Sequence, residues 1–188
     1  AFMVYPKYYP FVILAVAGAL AAAGIIYYSM NMADSDSAFR IGRIQAWLDP
    51  YAEEYADKSY QPLQALYAIG SGGLFGKGLG NSIQKLGGIP EPYNDMIFAV
   101  VCEELGVFGA GIVILMFIYL LYRLYSVAQQ AEDLFGRLLA IGVFAHVALQ
   151  VLLNLMVVTS LMPTTGVTLP FFSSGGTATV FLLIEIGM

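Results

Sequence analysis

Residues 11–30 and 138–161 contain no Asp, Glu, Lys or Arg, and residues 96–122 contain only Glu103 and Glu104. Runs of this kind reach the ~20 apolar residues that a helix needs to cross a bilayer. A fourth run begins near Gly175 and continues to Met188. The four segments, Phe11–Met30, Met96–Tyr122, Leu138–Leu161 and the run from Gly175, predict transmembrane helices. A lipid-exposed backbone must satisfy its own hydrogen bonds, so the predicted fold class is an all-α polytopic membrane bundle. Composition agrees. Charged residues make up 11% of the chain and hydrophobic residues 59%, with mean hydropathy +0.75, whereas a soluble domain carries about 25% charged residues.

Several function classes fall away at once. The chain has 8 Lys+Arg, a net charge of −5 and no basic stripe, so nucleic-acid binding is a poor reading. The single Cys102 excludes an internal disulfide and reads as a small buried hydrophobe. The chain starts at Ala1, shows no signal peptide and stops inside an apolar run, so it is expected to be one membrane domain from a longer protein.

Arg123 and Arg137 flank a short connection, 123–137, which predicts a cytoplasmic loop, and Lys7 agrees. Residues 31–95 then form a large extracytoplasmic loop. Its length calls for structure or function. Phe39, Ile41, Ile44, Trp47 and Leu48 make an apolar stripe among Arg40, Arg43 and Gln45, as in a surface-lying amphipathic helix. Tyr60–Ile69 suits a second helix. The glycine-rich run Gly70–Gly80 does not meet the phosphate-loop pattern at Ser71 and Gly78, and reads as a re-entrant turn.

The ionisable and polar residues carry competing readings. Asp95, with Glu91 four residues earlier, stands where the outer loop meets a membrane helix. From residues alone, Asn94 or Asp95 as a helix cap comes ahead of Asp95 as a general base. Glu103 and Glu104 lie deep enough in an apolar helix to need partners, one facing the bundle interior and one the interface; Glu185 is a similar case. His146, Gln150 and Asn154 recur at spacing four and share one helix face. Interhelical packing is the favoured reading there; a proton relay would need a partner for His146, such as Glu103 or Glu104. The stretch 162–176, MPTTGVTLPFFSSGG, breaks helix with two prolines and three glycines.

IGSGG at Ile69–Gly73, GLGNSIQKLGGIPEPYNDMIFAVVCEELG at Gly78–Gly106 and NLMVVTSLMPTTGVTLPFFSSGG at Asn154–Gly176 resemble the shape, elongation, division and sporulation (SEDS) family. These are the FtsW, RodA and SpoVE proteins of bacteria, and Asn81–Lys85 is closer to FtsW and its sporulation relative than to RodA. The resemblance implies ten transmembrane helices, of which this chain holds the last four, in the bacterial cytoplasmic membrane. It implies a peptidoglycan glycosyltransferase that polymerises lipid II, partnered by a class B penicillin-binding protein and other division proteins. The family's aspartate closes a Pro-Glu-x-His-Thr-Asp motif, matched here by Pro90, Glu91, Pro92, Tyr93, Asn94 and Asp95, so the catalytic role passes to Asp95 and displaces the cap reading. Tyr93-Asn94 replaces the family's His-Thr, and Ser173-Ser174-Gly175-Gly176 its Ser-Tyr-Gly-Gly; the role of the family's histidine is not carried over. Glu91, Arg40, Arg43, Lys77, Lys85 and Ser173 are the substrate-binding candidates, the cations toward a departing pyrophosphate. A divalent cation at Asp95 is an alternative to direct base catalysis. A lipid II flippase and a non-catalytic division scaffold are the competing functions.

Overall fold

The computed structural model describes residues 35–90 and 92–187, with the side chains of 35–40 and of Leu86 left out. The first apolar segment, Phe11–Met30, lies outside the described residues. Five α-helices follow in order: α1 (Ser35–Leu48), α2 (Ala56–Gly72), α3 (Ile97–Gln130), α4 (Leu134–Val158) and α5 (Gly176–Gly187), with 3-10 turns at Glu53–Tyr55 and Gln84–Leu86. The fold is all-α, as expected. The predicted amphipathic segments of the outer loop are α1 and α2.

α3 packs on α4 and on α2, and α1 packs on α2. The reason lies in residue size and spacing. Ala65 and Ala68 turn a small, fully buried face from α2 toward the start of α3, where Met96 and Ala99 are fully buried. Further along, Ala110, Val113 and Phe117 on α3 and Val143, Val147 and Val151 on α4 are buried at intervals of three or four, one helical face each. The opposite face of α3 carries Leu115, Met116, Ile118 and Tyr119, each more than half exposed. Both α3 and α4 are long and apolar enough to cross a membrane, yet only 22% and 33% of their most apolar windows are buried. A core helix of a soluble protein would hide most of such a window; these faces suit lipid.

α3 is broken. Gly106 has φ 68° and ψ −168°, a region open essentially to glycine alone. The 107–130 arm rises about 36 Å at ~1.5 Å per residue, sufficient for a hydrocarbon core of about 30 Å. Residues 97–105 form a separate short arm. Glu103 and Glu104 therefore stand beside the break rather than deep in one continuous helix, and both are buried, which corrects the expectation that one would near the interface.

The expected 123–137 loop is corrected as well. Helix continues to Gln130 and resumes at Leu134, so the connection shrinks to 131–133. Asp133 caps α4, accepting from Gly136 N–H at 2.8 Å. Arg137 Nε donates back to the Ala128 carbonyl at 3.4 Å, covering an orphan acceptor at the end of α3.

Candidate functional site

A helix break exposes backbone groups that need partners, and the glycine-rich run supplies them. Lys77 and Gly78 N–H donate to the Glu103 and Glu104 carbonyls at 3.0 and 2.9 Å; Val107 and Phe108 N–H donate to the Gly73 and Leu74 carbonyls at 3.0 and 3.2 Å. The approach is so close that a Cβ at Gly76 would lie 2.2 Å from the Glu104 oxygen, and one at Gly106 would lie 2.4 Å from Gly76 N. The run is a re-entrant clasp on the break, as its composition predicted.

Glu103 locks the clasp. Its side chain is fully buried and accepts from Lys77 Nζ at 2.6 Å, from Ser82 Oγ, from Ser71 Oγ at 3.3 Å and from Ile83 and Gln84 N–H at 3.3 Å each. Lys85 stands 3.6 Å from Glu104 and 5.6 Å from the centre of the Tyr93 ring. The two lysines proposed from sequence for a pyrophosphate thus each face a glutamate of the short arm. Arg43 Nη1 donates to the Thr164 carbonyl at 3.2 Å. The Arg40 side chain and Glu91 lie outside the described residues.

α2, the 90–95 segment and the 159–175 loop meet around Asp95. A cleft of about 440 Å³ is lined by Gln61, Pro90, Asn94, Asp95, Gly166, Thr168 and Gly175. The N-cap of α3 is Met96, with no side-chain cap bond, so the cap position falls on neither Asn94 nor Asp95. Gln61 Nε2 donates to Asp95 Oδ1 at 3.1 Å. Asn154 Nδ2 donates to the Asp95 main-chain carbonyl at 2.7 Å and to the Val167 carbonyl at 2.8 Å. Ser173 is buried; its hydroxyl donates to the Asn94 carbonyl at 2.6 Å and accepts from Leu169 N–H at 2.7 Å. Ser174 adds Oγ to Asn94 Oδ1 at 2.8 Å and N–H to the Tyr93 carbonyl at 2.9 Å.

The α4 face divides. Asn154 and Gln150, the latter donating to Thr168 Oγ1 at 3.3 Å, reach the loop over the cleft. His146 instead meets Glu185 of α5, Nδ1 to Oε2 at 2.7 Å. Its partner is therefore neither Glu103 nor Glu104, which the clasp occupies. Sequence reasoning missed Gln61. The available signal was a polar residue on the same α2 face as Ala65 and Ala68. It also missed Trp47 Nε1 donating to the Ser160 carbonyl at 2.7 Å, which ties α1 to the end of α4.

The FtsW/RodA/SpoVE family model, described as "Cell cycle protein", matches residues 1–188. Stage V sporulation protein E of Bacillus subtilis (strain 168) is 45% identical over 150 residues, 80% of this chain and 41% of that protein. A protein named probable peptidoglycan glycosyltransferase FtsW from the same organism is 46% identical over 150 residues, 79% of this chain and 37% of its own length. Its namesake in Coxiella burnetii (strain RSA 493 / Nine Mile phase I) is 37% identical over 185 residues, 97% of this chain and 47% of that one. The chain thus spans less than half the length of these relatives. A solved structure described as "Structural coordination of polymerization and crosslinking by a peptidoglycan synthase complex" shares the fold, with TM-score 0.70 at 24% identity, over 99% of this chain and 49% of that one. The chain belongs to the FtsW/RodA/SpoVE family of cell cycle proteins.

Proposed function

We propose that this chain is the catalytic-loop half of a peptidoglycan glycosyltransferase in the bacterial cytoplasmic membrane, and that Asp95 is its general base. The observation that carries the reading is the placement of Asp95. It opens on a cleft at the head of a helix apolar enough to span, where a lipid-linked substrate can present its sugars while its tail stays in the membrane. Names of relatives as peptidoglycan glycosyltransferases support the same reaction class.

In this reading, a sugar hydroxyl of acceptor lipid II attacks the anomeric carbon of the lipid-pyrophosphate-linked strand. The new glycosidic C–O bond forms as the C–O bond to pyrophosphate breaks. Asp95 takes the hydroxyl proton, and the pyrophosphate leaves with the bonding pair. Base catalysis of this kind contributes about 10²–10⁴-fold. Asn154, Ser173 and Ser174 act by holding the 93–95 backbone. Lys77 and Lys85 serve the fold of the clasp first. Among the described residues, no group of three or more His, Cys, Asp or Glu gathers to hold a metal ion; a divalent cation at Asp95 is the alternative to direct base catalysis.

The lipid II flippase is the rival reading, supported by the polar residues His146, Gln150 and Asn154 along one face of a largely apolar helix. The deciding experiment takes the full-length parent with and without its class B penicillin-binding partner in proteoliposomes containing labelled lipid II. Glycan strands formed with the partner present support polymerisation. Transbilayer movement of lipid II without strand formation supports the flippase and refutes this proposal.

A further inference from the structure

Gln61 reaches the Asp95 carboxylate from α2, and the two side chains line the same cleft. Ala65 and Ala68, fully buried on the same α2 face, let that helix approach closely enough for a glutamine to span the gap. Pro62 follows directly inside the helix; its ring fixes φ and it has no N–H, which stiffens the turn that carries Gln61. A carboxylate only accepts, so the glutamine must present its NH₂ group to it. Asp95 is thus gripped from two helices, its main-chain carbonyl by Asn154 of α4 and its carboxylate by Gln61 of α2. A donor on Oδ1 sets the rotation of the carboxylate plane and with it the directions of the remaining lone pairs.

We infer that Gln61 is a positioning residue for Asp95, orienting through its amide the carboxylate that receives the acceptor's proton. The inference rests on the reading of Asp95 as the base. Orientation of a base counts in the transition state and not in substrate capture, so its loss lowers kcat and leaves KM nearly unchanged.

The test uses the full-length parent with its penicillin-binding partner, measuring strand formation from lipid II per folded protein for Gln61→Met, Gln61→Glu and Asp95→Asn. Gln61→Glu keeps length and shape but turns a second acceptor on Asp95. The expected result is a kcat lower by roughly 10-fold or more in Gln61→Met, a larger loss in Gln61→Glu, and KM within about twofold. A role in packing alone gives the reverse order, with the isosteric Glu tolerated better than Met. Near-parent kcat in Gln61→Glu, or a loss confined to KM or to the folded fraction, overturns the inference while leaving Asp95 as the base. If Gln61→Met fails to fold, Gln61→Glu alone decides. An Asp95→Asn protein that polymerises normally overturns the underlying reading, and the inference with it.

Discussion

Glu103→Gln keeps the shape of the side chain at the centre of the clasp and removes its charge. The carboxylate serves five donors: Lys77 Nζ, Ser82 Oγ, Ser71 Oγ and the N–H groups of Ile83 and Gln84. A glutamine keeps one acceptor oxygen and turns an NH₂ toward donors already in place. Removing one partner of a fully buried ion pair costs about 3–5 kcal/mol. Here Glu103 is wholly buried, but Lys77 keeps 29% of its side chain exposed and recovers some hydration. The expected loss is therefore about 2–3 kcal/mol. Thermal unfolding of the detergent-solubilised full-length parent measures it, combined with Lys77→Met in a double-mutant cycle. The coupling energy should be about 1–2 kcal/mol. Unchanged stability of Glu103→Gln, or a coupling indistinguishable from zero, would show that this pair does not hold the clasp.

Gly106→Ala should destabilise by about 3 kcal/mol or more, because backbone strain and a forced overlap with Gly76 N add; a chemical-denaturation series would expose a smaller effect. His146→Ala removes the pair with Glu185 and should lower stability by only about 0.6–1.7 kcal/mol, with strand formation retained; complete loss of turnover in an abundant, folded variant would return the relay or transport reading. Cysteines placed at the exposed Glu53 and Glu132 should be labelled from opposite sides of the membrane, the Glu132 site from the cytoplasm, because Arg123 and Arg137 flank that turn; labelling of Glu132→Cys by an impermeant reagent outside intact cells would reverse the topology.

What could be read from the chain was what local spacing encodes. The apolar runs announced α3, α4 and α5, and the stripe from Phe39 to Leu48 announced α1. The family motifs singled out Asp95. What escaped depends on residues remote in sequence. An isolated glycine in an apolar run passes for a tolerated helix residue. Gly106 breaks α3 only because residues 73–78 fold back to satisfy the freed carbonyls and N–H groups. The partner of His146 lies 39 residues away in α5, and Gln61 lies 34 residues from Asp95. Asp95 looked like a cap because Asp favours that position, but the first turn of α3 starts at Ile97, beyond its reach as the N-cap residue.

As the proposed base, the Asp95 carboxylate takes the proton of the attacking hydroxyl in glycosyl transfer. Asp95→Asn is close to isosteric, and its main-chain carbonyl still accepts from Asn154. The direct measurement is the rate of glycan-strand formation from lipid II by the full-length Asp95→Asn parent with its partner, normalised to folded protein. The expected result is a stable protein slowed by about 10²–10⁴-fold; a stable Asp95→Asn protein polymerising at the parent rate would refute Asp95 as the base.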